Sequence, residues 1–87
     1  MSARAIRIDV RDNVAVVVSD VEAGGSVRLD DGSHLTATQR VPRGNKIALA
    51  AIAAGDPIFR YGEEIGVATT DIARGDHVHT HNLGGRQ

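Results

Sequence analysis

A short segment recurs three times in the second half of the chain and favours a fold built on tight turns. The copies are residues 51–58 (AIAAGDPI), residues 71–78 (DIARGDHV) and a looser one, residues 41–47 (VPRGNKI). Each copy contains an apolar residue, two spacers, a glycine, two more residues and a second apolar residue. We expect the first apolar residue to be buried and the glycine to adopt a backbone conformation that other residues resist. After the glycine, the chain is expected to turn into a strand. The predicted core residues are Val41, Ile52 and Ile72, and the predicted turn glycines are Gly44, Gly55 and Gly75.

The remaining pattern is that of short strands. Apolar and charged residues alternate over residues 6–10, residues 14–18 form a β-branched run, and residues 27–38 have the pattern of a hairpin around Asp31-Gly32. Further strands are expected at residues 46–49, 58–61 and 65–68. Residues 48–54 are rich in alanine and have helical propensity, but Gly44 and Gly55 bracket them closely. The sequence therefore predicts an all-β fold with many short strands, tight glycine turns and at most one or two helical turns.

The composition limits the classes of protein to which this chain can belong. The 87 residues (1–87) are expected to form a single domain, with no cysteine for a disulfide, thiolate metal site or Cys nucleophile. One Phe, one Tyr and a net charge of −1 argue against binding to nucleic acid or to an anionic membrane. No secretory signal and no run near the ~20 apolar residues of a membrane span are visible. We therefore expect a cytoplasmic protein.

Three of the four histidines occupy alternate positions near the end of the chain: His77, His79 and His81. On one continuous strand they would share a face, with neighbours ~6.6 Å apart and the outer two ~13 Å apart. Two neighbours can then hold one metal ion through bonds of about 2 Å, whereas the outer two cannot. Imidazole and oxygen ligands without thiolate suit Fe(II), Mn(II) or Zn(II). The alternative is a solvated histidine segment without a role.

Two other residues, Arg60 and His34, are isolated candidates for a functional role. Arg60 has the chemistry to hold a carboxylate bidentately, although a plain surface arginine fits the sequence equally well. His34, beside the Asp31-Gly32 turn, is expected to be a polar residue of a loop or strand edge.

Residues 44–83, about half of the chain, resemble the small N-terminal domain of the altronate/galactarate dehydratase family, a SAF domain with a β-clip fold. Two motifs carry the resemblance. One is a basic residue followed by Tyr-Gly and then Ile-Gly, here Arg60-Tyr61-Gly62 and Ile65-Gly66. The other is Val-His-x-His-Asn, here residues 78–82. One departure is Gly44-Asn45-Lys46, where the family commonly has Gly-His-Lys, which raises the prospect of a changed substrate or reduced activity.

The resemblance implies roles for particular residues. His79 and His81 become the site histidines, either as metal ligands or as an acid–base pair, and His77 is a weaker metal ligand candidate. Fe(II) or Mn(II) is the implied metal. The implied substrate-binding residues are Lys46, Arg60, Tyr61 and Asn82.

The resemblance also implies a function. The family's larger catalytic domain does not fit within 87 residues, so this chain resembles a small subunit that partners a large dehydratase-like subunit and is inactive alone. The expected reaction is the elimination of water from a sugar acid such as altronate or galactarate, giving a 2-keto-3-deoxy acid. Alternatives are the small subunit of a sulfolactate sulfo-lyase, a non-catalytic SAF module that binds a sugar acid or a protein, and a structural adaptor with idle histidines. The resemblance does not distinguish between the candidate acids or between the two metals, and it is compatible with a homo-oligomer.

Overall fold

The computed structural model describes residues 3–85, and within them the chain is all-β, as predicted. This part of the chain contains no helix, so none is present that could cross a membrane. The alanine-rich residues 48–54 form a strand end and a turn, as the bracketing glycines indicated. The strands are β1 (Ala3–Ile6), β2 (Val14–Val17), β3 (Ser26–Leu29), β4 (His34–Thr36), β5 (Lys46–Ala48), β6 (Pro57–Arg60), β7 (Glu63–Ala68), β8 (His77–Val78) and β9 (Leu83–Gly84).

The strands form two sheets. The larger has the order β4-β3-β1-β2-β5-β8, in which β1 and β3 are parallel and the other neighbours are antiparallel. The smaller has the order β6-β7-β9 and is antiparallel. The expected hairpin is present as β3 and β4. The edge of the larger sheet is β8, which begins at His77.

The repeated segment builds the turns as predicted. Gly44, Gly55 and Gly75 have φ angles of 83°, 89° and 94°, in the left-handed region that favours glycine. The N–H of Gly44 donates to Val17 O at 2.9 Å, and the other two donate in the same way to Ala68 and Ala48. Each turn is thereby joined to a strand outside its own repeat.

A fourth copy of the repeat, which the sequence analysis missed, covers residues 21–27. Gly24 has a φ of 82°, and Val21 pairs with Val41 through hydrogen bonds of 2.9 and 2.8 Å. Ile52 pairs with Ile72 in the same antiparallel manner. The four copies are therefore two pairs, and the first apolar residue of each copy is buried.

The core consists of two clusters, one for each pair of repeats. The first is formed by Ala5, Ala15, Val17, Val21, Val27, Leu29, Leu35, Ala37, Val41 and Ile47. The second is formed by Val14, Ala48, Ile52, Ile58, Ala68, Ile72 and Val78. Strands β2 and β5 contribute to both clusters, because their alternate side chains leave opposite faces of the sheet.

The strand predicted over residues 6–10 is wrong, since β1 ends at Ile6. Ile8 and Val10 are 63% and 87% exposed. The cause is Asp12, whose carboxylate accepts hydrogen bonds from the N–H groups of Ile8 and Asp9 at 3.3 and 3.1 Å. These contacts hold the chain in a loop, and an alternating pattern alone does not reveal that competition.

Candidate functional site

The three C-terminal histidines form one cluster at the edge of the larger sheet. The rings of His77 and His79 are stacked, with centroids 5.6 Å apart and planes inclined by 10°. The rings of His77 and His81 lie 5.3 Å apart and are inclined by 45°. The expected ~13 Å between the outer two is therefore wrong. Strand β8 ends at Val78, and the following turn brings His81 back towards His77.

Asn82 is the residue that closes this turn. Its side chain is buried, its Oδ1 accepts from His79 N at 2.9 Å, and its Nδ2 donates to His77 O at 2.8 Å. The N–H groups of Asn82 and Leu83 both donate to His79 O. The predicted role of Asn82 in binding substrate stays a prediction. The contacts seen here position the histidines.

His77 lies at the centre of the cluster and is half-buried, whereas His79 and His81 are exposed. Asn45 Nδ2 lies 3.0 Å from His77 Nε2, and Gln39 Oε1 accepts from the main-chain N–H of His77 at 3.1 Å. Burial lowers the pKa of His77, and the charges of His81, His79 and Lys46 lower it further. Asn45, the one departure from the family pattern, therefore contacts the histidine cluster directly.

The cluster offers a metal ion few ligands from this chain. Within residues 3–85, no group of three or more His, Cys, Asp or Glu side chains is arranged to hold a metal ion. Asn45 already contacts Nε2 of His77, which leaves His79 and His81 as the more accessible pair. A metal ion bound here would therefore take at most two imidazoles from this chain, and its other ligands would come from outside it.

Lys46 and His77 leave opposite faces of the larger sheet. In the β5–β8 pair, Lys46 lies opposite Val78 and Ile47 lies opposite His77. Lys46 is only 9% exposed, and none of the ion pairs seen in residues 3–85 includes it. Burial lowers the pKa of Lys46, and the neighbouring charge of Arg60 lowers it further. The strand register thus directs these two side chains to opposite faces, although the charge of Lys46 still lowers the pKa of His77.

Arg60 and Tyr61 stand at the end of β6, beside Lys46. The guanidinium of Arg60 lies 5.1 Å from the centroid of the Tyr61 ring, a cation–π contact. The Nε of Arg60 is buried and has no hydrogen-bond acceptor among the described residues. Tyr61 is 49% exposed. A buried donor without an acceptor is costly.

Asp12 positions this turn, a role that the sequence analysis missed. Its carboxylate accepts from Tyr61 N at 2.9 Å and from Gly62 N at 2.8 Å. Tyr61 has a φ of 57°, which is unusual for a residue other than glycine. Burial raises the pKa of Asp12, but four main-chain N–H donors outweigh it, and the pKa lies below its ordinary value. The pair Asp12-Asn13 has the residue types of an ordinary turn, and residues 61–62 are too distant in sequence to be inferred as its partner.

These features define a small all-β domain with a histidine cluster at a sheet edge and two further cations, Lys46 and Arg60. The sequence matches the altronate/galactarate dehydratase SAF domain over residues 3–86. The chain belongs to this family, as the resemblance predicted.

Two kinds of relative are found. The chain is 47% identical to an altronate dehydratase of Escherichia coli (strain K12) over 77 residues, which are 88% of this chain and 15% of that protein. It is 50% identical over 49 residues to the (2R)-sulfolactate sulfo-lyase subunit alpha of Paracoccus pantotrophus, covering 56% of this chain and 73% of the relative. It is 34% identical to the subunit of the same name in Chromohalobacter salexigens, with 95% of each chain covered. The relatives are therefore either much longer enzymes or named subunits.

Proposed function

We propose that this chain is the small component of a hydro-lyase that eliminates water from a sugar acid such as altronate or galactarate. The product is a 2-keto-3-deoxy acid. The observation that carries the proposal is the histidine cluster, displayed at a sheet edge in a chain that matches a dehydratase domain over residues 3–86. The chain spans 15% of the altronate dehydratase, so a larger catalytic subunit or domain supplies the rest of the active site. A cytoplasmic location stays a prediction.

In this proposal His79 and His81 face the substrate from the exposed side of the cluster. Elimination removes the proton at C2 and the hydroxyl at C3 as water, and the resulting enol becomes the 2-keto acid. Neutral imidazole near pH 7 suits either proton transfer or metal ligation. A divalent metal, Fe(II) or Mn(II), when bound by His79 and His81, supplies a Lewis acid for the carboxylate and hydroxyl of the substrate. The remaining ligands come from the substrate and the larger component.

His77 has a supporting role in this proposal. An amide nitrogen only donates, so Nε2 of His77 accepts from Asn45 and the neutral ring carries its proton on Nδ1. The lowered pKa keeps the ring uncharged at neutral pH. An uncharged ring between His79 and His81 adds no repulsion towards a cation that they hold.

The full-length match to a sulfo-lyase subunit favours a second candidate. The Chromohalobacter salexigens relative aligns with 95% of this chain and is itself 95% covered, so the two chains have nearly the same extent. In a sulfo-lyase the β-substituent leaves as sulfite rather than water, and the histidines would have the same role as metal ligands or as an acid–base pair. The released product, sulfite or water, distinguishes the two. A SAF module that binds a sugar acid or a protein without catalysis is the remaining alternative.

Metal binding tests the histidine part of the proposal. We expect the chain to bind Co(II) or Ni(II) weakly, because two neutral imidazoles leave most coordination positions to water. His79→Ala and His81→Ala should each abolish binding, and His77→Ala should have little effect. The affinity should fall in acid, because protonated imidazole does not ligate. NMR titration of the imidazole resonances measures all of these, and His34→Ala is the matched control on β4.

Two results would contradict this assignment. If His77→Ala destroys binding and His81→Ala leaves it intact, the pairing of His79 with His81 is wrong. If none of the three substitutions changes the titration, the cluster is not a metal site and the interpretation as idle histidines stands.

A further inference from the structure

We propose that Arg4 and Arg28 form a binding site for the phosphate group of a small polyol phosphate, away from the histidine cluster. The two arginines lie on β1 and β3 of the larger sheet. Strands β2 and β5 separate β1 from β8, where the histidines begin. The site goes beyond the proposed lyase function and does not depend on it.

The two arginines lie side by side on the outer face of the sheet. In the parallel pairing of β1 with β3, Arg4 is the register partner of Arg28. Their chain neighbours Ala5, Val27 and Leu29 are buried, so the alternation along each strand directs both arginine side chains away from the core. Neighbouring strands are about 4.8 Å apart, which brings two positive charges close together on one surface.

Neither arginine has an anionic partner among residues 3–85, since the ion pairs seen there involve other arginines. Across the sheet, Val18 lies next to Arg4 on one side. On the other side, His34 is the register partner of Arg28. This row of side chains therefore contains no carboxylate. Like charges on adjacent strands repel each other, and a bound anion removes that repulsion.

The arginines line an open cleft of about 300 Å³, together with Leu29 and Asp30. This volume corresponds to about ten water molecules, which is room for a small ligand. A guanidinium is a planar donor that binds two phosphate oxygens at once. Two positive charges also match a phosphate monoester, which carries a charge of about −1.5 to −2 at pH 7.

Asp30 limits what the rest of the ligand can be, because its carboxylate lines the same cleft. A carboxylate accepts hydrogen bonds from hydroxyl groups and repels a second anionic group. The cleft therefore suits a ligand with one phosphate and neighbouring hydroxyls. It suits a sugar diacid such as galactarate less well, because both ends of that molecule are anionic.

NMR titration of the labelled chain at constant ionic strength tests the proposal. The probes are glycerol 3-phosphate, inorganic phosphate, galactarate and glycerol, and the signals are the main-chain amides of Arg4, Arg28 and Leu29. We expect saturable shifts with both phosphates and none with glycerol. Galactarate should bind about tenfold more weakly than glycerol 3-phosphate, because Asp30 repels its second carboxylate.

Matched variants separate the cleft from general attraction to a positive surface. Arg4→Gln and Arg28→Gln should each weaken the binding of glycerol 3-phosphate about tenfold or more, since each removes charge-assisted hydrogen bonds. Arg43→Gln removes the same charge from an exposed arginine outside the cleft and should leave the affinity unchanged. Asp30→Asn should strengthen the binding of galactarate, because its second anionic group no longer meets a carboxylate.

Thermal unfolding of Arg28→Gln is an independent measurement. Arg28 is exposed, so the variant is expected to fold. At low ionic strength it should melt no lower than the parent, because the substitution removes a repulsion between like charges. Glycerol 3-phosphate should raise the melting temperature of the parent but not that of the variant. A marked loss of stability would contradict the site, because Arg28 would then have a partner within the chain.

Three results of the titration would overturn the site. One is the absence of saturable shifts with both phosphates in the folded parent chain. Another is an equal loss of affinity in Arg43→Gln and Arg28→Gln, because binding would then follow net charge alone. The third is galactarate binding as tight as that of glycerol 3-phosphate, which would contradict the assignment of a phosphate ligand.

Discussion

The carboxylate of Asp12 accepts hydrogen bonds from four main-chain N–H groups that belong to two loops. Two of them, Ile8 N and Asp9 N, follow β1, and the other two, Tyr61 N and Gly62 N, follow β6. One side chain therefore ends a strand of the larger sheet and fixes the turn beside Arg60 in the smaller one. Substituting this residue should disturb both places together.

We expect Asp12→Ala to lower the free energy of unfolding by about 3 kcal/mol, because hydrogen bonds to a charged acceptor are lost and buried donors are left without a partner. Since the folded pKa lies below the ordinary 3.8, the stabilisation from the parent carboxylate is complete above pH 3.8 and is lost as the pH falls through the folded pKa. Urea unfolding of parent and variant between pH 7 and pH 2 measures both effects.

The control for Asp12 is Asp56→Ala, at an exposed carboxylate in one of the repeat turns. It should change the stability by no more than about 0.5 kcal/mol. If Asp12→Ala costs no more than this control, the four hydrogen bonds do not hold the two loops as described.

The sequence singled out the three histidines as candidates but did not predict their arrangement. Alternation of His77, His79 and His81 was sufficient to single them out, yet it also suggested one continuous strand. The turn after Val78 depends on Asn82, whose buried amide bonds to main chain on both sides of it. The burial of Lys46 could not be predicted from the sequence either, because it depends on strands and a second sheet whose residues are distant along the chain.

At the scale of the elements, the repeated turn was the most informative feature of the sequence. An apolar residue and a glycine at fixed spacing predicted the buried Ile52 and Ile72 and the positive φ at Gly55 and Gly75, since only glycine adopts that conformation without strain. The copy at residues 21–27 was missed, since adjacent glycines such as Gly24 and Gly25 also occur in an ordinary turn between strands. The lengths and end points of the strands were less predictable than the turns. The reason is that hydrogen bonds from side chains determine where β1 and β8 end.

Two of these glycines allow a matched prediction. A Cβ on Gly55 would meet nothing within 4 Å, whereas a Cβ on Gly75 would lie 2.2 Å from Thr36 O. Both have positive φ, so both alanine variants are strained. We expect Gly55→Ala to cost about 1 kcal/mol and Gly75→Ala about 3 kcal/mol or more, since main chain must move in the second case. Thermal or urea unfolding measures the difference between the two variants. Equal losses of stability would contradict the close approach of Gly75 to Thr36 O.

At the scale of the whole molecule, local patterns predicted an all-β domain but not how its strands are ordered. The parallel pairing of β1 with β3 and the placement of β8 next to β5 join segments that are distant along the chain. Those pairings decide that Lys46 and His77 face opposite ways. Consequently the sequence indicated the candidate residues but not which of them share a face of the sheet.

The most direct test of the central claim is a chimaera of the altronate dehydratase of Escherichia coli (strain K12). The aligned segment, 77 residues long and 15% of that enzyme, is replaced by the corresponding part of this chain. The measurement is the formation of 2-keto-3-deoxy acid from altronate. Three variants accompany the parent chimaera: His79→Ala, His81→Ala and, as a control on β4, His34→Ala.

We expect the chimaera to form product, because this chain supplies the histidines and the larger component supplies the rest of the site. His79→Ala and His81→Ala should each reduce the rate about 100-fold or more, as the loss of an acid–base group or ligand does, and His34→Ala should not. The isolated chain should form none. A folded chimaera without activity, a chimaera that tolerates both His79→Ala and His81→Ala, or product formed by the isolated chain would contradict the account.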